Sequence, residues 1–565
     1  MPQQAATPGL SGEARPAGMA LQDFEPLWKA EQQLLESCLT GGIAKVGYQR
    51  PRAASPEVAL RAEFVAFLAR GGAPGARPRG RRIQLMGAWI VGRLKLVDTA
   101  VPVSLWFYRC HFDTTLLLDA ARIAGSLGLP DCSLPGLRAE ACVIVGELAL
   151  NSGCSVQGEV RLSHAKILRD LNLERAQLGI DADRKASNTS HPLVADGARI
   201  GGDLILSGGF AAIGELRFVG VTVGGDIRAD QARLTARIDS QGGRGDALNF
   251  DRIVVAGNVY LDTGFSASGR VRLQRARIEG HLDCTGADFD AAGDLGWDQN
   301  PALLLERTRI GGTLCLRELQ TPLLGASLSG ARAGALADDA SSWGQRLVLD
   351  DFKYHRFAQG APVDAAFRLD WLARQEPLHL DEDYRPEPWR RLISVLRRNG
   401  RAHGASLVFM QRERHLGRIG RIAAEVPAAL RWLPRACHWL YGVVAGYGER
   451  PLRLVGAMAL VWLLCGAAYW AANEERAIAP TRAATRTTPE FHPWLYSLDL
   501  LLPLVDLQQA REWAPLPREP ARPDDFWRGV TPALTWFEAI FGWAAALVLV
   551  LAVSGVTDRD RRTLA

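Results

Sequence analysis

The residues that could do chemistry in this chain do not cluster at the spacings that known sites require. The sequence contains no G-x-G-x-x-G or G-x-x-x-x-G-K-[ST] loop for phosphates, no H-E-x-x-H zinc motif and no G-x-S-x-G nucleophile turn. The densest polar group is Asp381-Glu382-Asp383 beside His379, which could ligate a metal but, just before Pro386, favours a solvated acidic turn. We therefore predict no catalytic, cofactor-binding or metal-binding residue and no cofactor, which argues against an enzyme.

The cysteines point to the compartment. The nine Cys form no C-x-x-C and no Cys/His cluster at zinc spacing. Cys110, Cys132, Cys142 and Cys154 stand among apolar residues. This pattern predicts reduced, buried thiols in the cytoplasm rather than a disulfide framework.

Composition excludes several classes of protein. The 565 residues are 48% hydrophobic and 22% charged, so bulk disorder and collagen-like structure are excluded. Only six of the 66 basic residues are Lys, and acidic residues nearly balance them, leaving a net charge of +5. We therefore expect no nucleic-acid partner.

The central region repeats a short motif, and this repeat determines the predicted fold. The pattern apolar-x-Gly-x-apolar-x-apolar is clearest in the units that begin at Ile200, Val223, Val255 and Ile278, and its x-apolar-x-apolar pair recurs along the chain at a usual step of 11 or 12. Matching units open 55 residues apart at Ile90, Val145, Ile200, Val255 and Ile310. Alternation of apolar and polar residues predicts short strands with one buried face, and the Gly before each strand permits a tight corner. Such strands bury a continuous core only when they are stacked as coils.

We predict a mainly β fold, a β-solenoid of 11–12-residue rungs with a 55-residue super-repeat, two rungs forming each coil. An ordinary β-sandwich is the alternative, but it does not need the 55-residue register. In this register Leu206 and Leu261 point into the core. An N-terminal helical cap precedes the solenoid, and a C-terminal α-helical region with two transmembrane helices follows it. The predicted segments are a disordered tail (1–20), the helical cap (21–82), with Ser55 as N-cap of its second helix, the solenoid (83–318), a linker with a possible last rung (319–362), a helical hairpin and interfacial helix (363–450), transmembrane helix 1 (451–473), an extracytoplasmic loop with an amphipathic helix (474–535), transmembrane helix 2 (536–557) and a cytoplasmic tail (558–565).

Two uncharged stretches are long enough to span a bilayer. Leu454–Asn473 and Ala539–Thr557 each cover about 30 Å as a helix, with Trp470, Trp536 and Trp543 near their ends. Arg residues are concentrated before the first stretch and after the second. The positive-inside rule then places both termini and the solenoid in the cytoplasm of a multi-pass protein of the inner membrane.

The loop between these stretches holds an apolar segment, 491–513. Two spans around such a segment is the layout of a tetrameric cation-channel pore, and Leu495-Tyr496-Ser497-Leu498-Asp499 is similar to a pore helix. The T-x-G-Y-G filter that coordinates the ion in such pores is missing from the sequence. We therefore predict an amphipathic helix on the outer membrane face.

Three insertions recur at matching points of the 55-residue blocks, at 181–192, 235–247 and 287–301. Stacked blocks place equivalent points along one side, so these loops predict a ridge, and insertions in solenoids often map to the binding face. That they are surface loops without function remains an open alternative. The candidate partner-binding residues of the ridge are Asp181, Arg184, Lys185, Asp239, Arg244, Asp246, Asp290, Asp294 and Trp297.

The rung motif, Tyr384-Arg385-Pro386-Glu387-Pro388-Trp389, Gly446-Tyr447-Gly448 and Tyr496-Ser497-Leu498-Asp499 together carry a resemblance. The chain resembles a group of bacterial membrane proteins with a pentapeptide-repeat-like solenoid and two C-terminal spans. Its rungs are longer than two strict pentapeptides, which is a departure from the pattern of that group. The group often carries the label "membrane-associated oxidoreductase", but this sequence has neither a nucleotide fingerprint nor a redox-metal cluster.

The function we predict is a membrane-anchored solenoid scaffold or sensor that offers a cytoplasmic binding surface. Its partners would be the lipid bilayer, an unidentified cytoplasmic protein and a second copy of the chain through the transmembrane helices. A channel-like or membrane-disrupting effector gated by the solenoid is the first alternative. A membrane-associated oxidoreductase is the second.

Overall fold

The computed structural model describes residues 20–180, 190–238, 244–290, 301–323, 325–423, 426–481, 490–517 and 526–554. The chain forms two compact units, Met1–Arg401 and Ala402–Ala565.

The first unit is a solenoid-like stack of short parallel strands, as the repeat predicted. Each coil runs through four strands, two in sheet A, one in sheet B and one in sheet C, before the chain returns to sheet A one coil further on. Successive coils pair in register, so that Val143 lies beside Lys166 and Lys166 beside Arg199. The step from Val143 to Lys166 is short, and the step from Lys166 to Arg199 is long. The next step, to Thr222, is again short, and the one after it, to Val254, is again long. A short coil followed by a long one therefore produces the 55-residue period.

Among the described residues the stack comprises 21 strands in sheet A and 10 each in sheets B and C. The strands of sheet A are Ala44–Lys45, Arg82–Met86, Ala100–Val101, Ser104–Tyr108, Arg122–Ile123, Leu127–Gly128, Val143–Ile144, Leu148–Ala149, Lys166–Ile167, Leu171–Asn172, Arg199–Ile200, Leu204–Ile205, Thr222–Val223, Ile227–Arg228, Val254–Val255, Val259–Tyr260, Arg277–Ile278, Leu282–Asp283, Arg309–Leu316, Arg332–Asp338 and Lys353–Phe357. Those of sheet B are Ala59–Arg61, Trp89–Val91, His111–Phe112, Ser133–Leu134, Ser155–Val156, Gln177–Leu178, Ala211–Ile213, Arg233–Thr235, Ser266–Ser268 and Asp288–Asp290. Those of sheet C are Leu116–Leu117, Leu137–Arg138, Val160–Arg161, Leu193–Val194, Leu216–Arg217, Asp246–Asn249, Arg270–Arg272, Leu303–Leu304, Ala326–Ser327 and Leu347–Val348.

The core lies inside the coils, and the predicted register is confirmed: Leu206 and Leu261 are 1% and 0% exposed. Many corners are tight turns. The N–H of Ala121 donates to the carbonyl of Leu118 at 3.0 Å, and Ala120 between them has φ +55°, the left-handed conformation at the third position of a type II turn. The residue after such a turn is small and buried, which explains the positions of Cys132 and Cys142.

All nine cysteines are free, and seven are buried as predicted; Cys315 is half-buried and Cys437 is exposed. Burial raises the pKa of Cys142 and of Cys154 to about 12, so these thiols stay protonated and unreactive at neutral pH. Cys154 occupies the same buried corner position in its coil, and Gly153 before it belongs to the turn, with φ +91°.

The repeated glycines serve close stacking of the coils rather than a special backbone conformation. A Cβ on Gly201 would lie 2.3 Å from the carbonyl oxygen of Leu168 in the preceding coil, and one on Gly224 would lie 2.3 Å from that of Gly201. Only glycine lets the backbones approach this closely.

Helices α1 (Lys29–Thr40) and α2 (Ala62–Ala69) pack at the N-terminal end of the stack, after a short 3-10 helix, Leu21–Phe24. The predicted N-cap at Ser55 is wrong, because residues 59–61 pair with Trp89–Val91 as a strand and α2 begins only after them. Glu31 of α1 is fully buried, and its Oε1 accepts a 2.7 Å hydrogen bond from Nε of Arg61. Hydrogen bonding to Glu31 raises the pKa of the Arg61 guanidinium, so this guanidinium stays charged.

The stretch 319–362, expected as a linker with a possible last rung, contains strands Ala326–Ser327, Arg332–Asp338, Leu347–Val348 and Lys353–Phe357, which continue the coils. The possible last rung is therefore present, and the residues before it are not a linker. Helices α3 (Ala365–Ala373), α4 (Pro377–Leu380) and α5 (Glu387–Arg398) follow. Asp338, at the end of the strand Arg332–Asp338, and Arg368 of α3 are fully buried, and two hydrogen bonds, of 2.7 and 2.8 Å, join the carboxylate to the guanidinium. This bidentate pair fixes α3 to the last coils.

The second unit is helical. Its helices are α6 (Ala402–Arg418), α7 (Trp432–Ala445), α8 (Pro451–Glu474), α9 (Pro493–Leu501), α10 (Gln509–Glu512) and α11 (Phe526–Ser554), with 3-10 turns at Arg421–Ala423, Ala428–Leu430 and Gly446–Gly448, and strands Ile478–Pro480 and Trp513–Pro515. Two helices, Pro451–Glu474 and Phe526–Val550, are long and apolar enough to span a membrane. Only 28% and 17% of their most apolar windows are buried, unlike the core helix of a soluble protein.

Two expectations for this unit are corrected. Helix α11 begins at Phe526 and not at residue 536, so Glu538 lies well inside it and not near its start. Helix α9 does not lie apart as a surface helix: Trp462 in the middle of α8 donates from Nε1 to the carbonyl of Trp494 at 2.9 Å. A Cβ on Gly466 of α8 would lie 2.4 Å from the Trp494 ring, and one on Gly542 of α11 would lie 2.3 Å from the carbonyl of Leu501. Small residues on both long helices therefore admit α9 between them.

Candidate functional site

The three long insertions leave the coil at the same corner. Each connects a strand of sheet B to the next strand of sheet C: Gln177–Leu178 to Leu193–Val194, Arg233–Thr235 to Asp246–Asn249, and Asp288–Asp290 to Leu303–Leu304. The coils between them cross this corner by short connections, as at Gly214-Glu215 and Gly269. The insertions therefore start and end in alternate coils along one edge of the stack, which is the placement that a ridge requires.

The structure describes only part of the predicted ridge. Arg244, Asp246 and Asp290 lie within the described residues. The other six predicted residues, Asp181, Arg184, Lys185, Asp239, Asp294 and Trp297, lie outside them.

Asp246 is engaged within the stack. Its carboxylate accepts hydrogen bonds from Nε of Arg270 at 2.6 Å and from Nη1 of Arg272 at 2.9 Å. Arg272 also bonds Asp251. Burial lowers the pKa of Arg272, but Asp246 and Asp251 outweigh it and raise the pKa above the ordinary value. Asp246 therefore ties the strand that follows the second insertion to the next coil. Sequence reasoning assigned it a contact role because its partners lie in the next coil, where the local pattern does not reveal them.

A polar groove of about 870 Å³ lies on the outer side of sheet C, next to this corner. Sequence reasoning missed it, although the outward positions of this sheet could have revealed it. Its lining includes five arginines, together with three acidic residues and several amides and hydroxyls. The arginines are Arg217, Arg252, Arg272, Arg275 and Arg307.

Some polar side chains of the groove are already engaged in contacts between neighbouring coils. Arg217 binds Asp196 at 2.6 Å, and Gln274 donates to Glu306 at 3.0 Å. The side chains that face outward at the next corner, Arg252, Arg275 and Arg307, are exposed. The groove can therefore offer guanidinium, amide and hydroxyl donors to the carboxylates and carbonyls of a polypeptide.

A second polar site lies where α8, α9 and α11 meet. Sequence reasoning missed it, although Glu538 stands directly before an apolar stretch. Glu538 of α11 and Ser497 of α9 are fully buried and hydrogen-bonded to each other. Tyr469 of α8 is also fully buried against them. Ionisable groups inside membrane helices are rare and mark ion or proton pathways.

The acidic group at residues 381–383 is exposed and follows α4. Asp383 pairs with Arg385, and within the described residues no group of three His, Cys, Asp or Glu side chains is placed to hold a metal ion.

Comparisons with protein families, with curated proteins and with solved structures gave no match to the chain.

Proposed function

We propose that this protein is a membrane-anchored, mainly β solenoid scaffold that binds a protein partner along the edge between sheets B and C. The observation that carries the proposal is the recurrence of the three long insertions at this one edge, in alternate coils. Insertions confined to one edge of a stacked repeat create an extended contact surface. The groove on sheet C widens that surface with arginine and amide donors. The proposal includes membership of the chain in the group of bacterial membrane proteins with pentapeptide-repeat-like solenoids, which the sequence resembles.

The first test replaces the insertions. Residues 181–189, 239–243 and 291–300 become short Gly-Ser turns in the full chain, which leaves every described strand unchanged. We expect insertion into membranes and protease resistance of the stack to persist, while the proteins that copurify with the unaltered, detergent-solubilised chain are lost. Replacement of residues 157–159, a short connection at the same corner, is the matched control and should retain them. Undiminished copurification after the triple replacement would contradict the proposal.

We further propose that α8 and α11 cross the inner membrane with both termini and the solenoid in the cytoplasm. Support comes from the Arg residues that precede Leu454 and follow Thr557, since basic residues are retained on the cytoplasmic side. A reporter that is active only in the cytoplasm should be active after Ala565 and inactive when inserted at Thr487. The reverse pattern would overturn the orientation.

A second candidate function, a channel-like protein, is favoured by one observation. Helix α9 lies between two apolar helices and brings Ser497 to the buried Glu538. Helices that end inside a membrane protein line ion sites in several transporter and channel classes. Such a pore would need several copies of the chain, associated through these helices. Ion flux across liposomes that contain the full chain separates the candidates, because the scaffold predicts none.

A further inference from the structure

A row of basic side chains runs along one outward side of sheet A. It follows ten positions that pair directly from coil to coil, from Arg122 to Lys353. Seven of the ten are basic, and we call these seven the basic row. They are Arg122, Lys166, Arg199, Arg277, Arg309, Arg332 and Lys353. With coils about 4.8 Å apart, the row extends over about 43 Å.

The row places like charges next to one another. In the strand register Arg277 lies opposite Arg309, Arg309 opposite Arg332 and Arg332 opposite Lys353. Like charges directly opposite each other destabilise a sheet. Sheet C also places Arg138 opposite Arg161, but there each arginine has an acidic partner, Asp119 at 3.0 Å from Arg138 and Glu159 at 3.1 Å from Arg161, which offsets the repulsion. The row therefore costs stability that an anionic partner would return.

Acidic side chains scarcely compensate the row. Among the described residues, Arg277 pairs with Glu279 and Lys353 with Asp351, while no ion pair involves Arg309 or Arg332. The three exposed arginines of the neighbouring corner, Arg252, Arg275 and Arg307, add to the same side. The nearest acidic residues on the other side are engaged by the backbone: Asp203 and Asp226 each accept an N–H of the following coil at 2.8 Å.

We propose that the basic row binds the anionic headgroups of the membrane in which α8 and α11 are anchored. Residues 402–450 connect the first unit to α8, so the row and the anchored membrane surface are tethered through one chain. Val145 and Leu168, in the column beside the row, are 45% and 51% exposed, and apolar side chains flanked by basic ones suit the headgroup region. The columns that flank the row, all within the described residues, contain no Phe, Tyr or Trp on which bases of a nucleic acid could stack.

The proposal rests on the two helices spanning the membrane, and the experiment separates the two ideas. The full chain, with Cys437 replaced by Ser and Val145 by Cys, carries a fluorophore at position 145 and is reconstituted into vesicles of phosphatidylcholine with or without phosphatidylglycerol. A headgroup-attached quencher reports contact between the row and the surface. Flotation with the vesicles in both lipids reports membrane anchoring. If the chain does not float, the membrane anchoring is contradicted and the proposal with it. If the chain floats but its quenching does not change with phosphatidylglycerol, only the binding of headgroups by the basic row is contradicted.

We expect phosphatidylglycerol to increase quenching severalfold, and about 1 M salt to abolish the increase because it screens charges beyond about 3 Å. Each basic residue near an anionic surface contributes about fivefold to the equilibrium, so Arg309→Glu with Arg332→Glu should reduce binding by roughly 25-fold or more. Arg309→Gln with Arg332→Gln should show a smaller loss and guards against misfolding.

The matched control is Arg93→Glu with Arg233→Glu. These two arginines are exposed, carry the same charge change and lie outside sheet A. The control should quench like the unaltered chain. An equal loss in the control would mean that net charge alone acts, and would overturn the proposal. Protection of position 145 by single-stranded DNA, with no response to phosphatidylglycerol, would assign the row to nucleic acid and also overturn it.

Discussion

Leu206→Asp is expected to prevent folding of the coils around it, whereas Ser207→Asp is expected to leave them intact. Leu206 is 1% exposed, and its neighbour in the chain is half-buried on the outer side. Removing the leucine forfeits about 1.5–3 kcal/mol of transfer free energy, and the carboxylate adds several kcal/mol because no partner lies inside the coil to pair with it. A surface change such as Ser207→Asp remains within about 0.5 kcal/mol.

The measurement is thermal unfolding of the full chain in detergent, followed by circular dichroism and by resistance of the stack to a protease. Leu206→Asp should lose the protected fragment and the strand signal, and Leu261→Asp, at an equivalent position in a later coil, should do the same. Equal tolerance of Leu206→Asp and Ser207→Asp would mean that the side chains point the other way.

The repeat was predictable because the same short sequence pattern determines the local structure of every coil. An apolar residue at every second position and a Gly at a fixed place constrain the register tightly, so Leu206 and Leu261 were assigned correctly. The reason given for the glycines was incomplete. The close approach of Gly201 to Leu168, which lies one coil earlier, depends on stacking that the local pattern does not contain.

The ends of the stack were less predictable. Alternation fades after Leu316, and the Ala-, Gly- and Ser-rich stretch around Ala335 was interpreted as a linker, although small residues also fill narrow coils. Ala335 and Leu336 are in fact buried in a strand of sheet A. Likewise, Ala59–Arg61 continues sheet B where a helix was expected, because pairing with Trp89–Val91 outweighs helix propensity.

The polar sites were the least predictable, because their members come from distant parts of the chain. Glu538 meets Ser497 across 41 residues, and nothing near either residue signals the pair. The basic row is visible only once the coils are aligned, since each of its members comes from a different coil. That the three insertions start and end at one edge, by contrast, followed from the 55-residue period alone.

Replacement of Arg368 by Met should destabilise the C-terminal end of the stack more than any surface substitution. Arg368 and Asp338 are both 0% exposed, and the change leaves the Asp338 carboxylate buried without its cation. Breaking a buried pair from one side costs about 3–5 kcal/mol. The guanidinium also lies 4.0 Å from the centre of the Phe357 ring and donates to the carbonyl of Pro362 at 2.8 Å, so several contacts of α3 are lost together.

A double-mutant cycle in the full chain isolates the pair. Asp338→Asn retains an acceptor for Nε1 of Trp343, which donates to Asp338 at 2.8 Å, and Arg368→Met with Asp338→Asn contains neither charge. We expect the double variant to be more stable than Arg368→Met alone, because no uncompensated charge remains. Urea unfolding followed by circular dichroism and by tryptophan fluorescence gives the free energies; Trp343 and Trp371, two of the 16 tryptophans, pack against each other, and the Trp371 ring lies 5.6 Å from the Arg368 guanidinium. Arg374→Ala, which removes the exposed pair with Asp370, is the control and should cost less than about 1 kcal/mol for that pair. If the two changes at the buried pair were additive, the charges would act independently, and α3 would be held to the last coils by apolar packing around Phe357 and Trp371 instead.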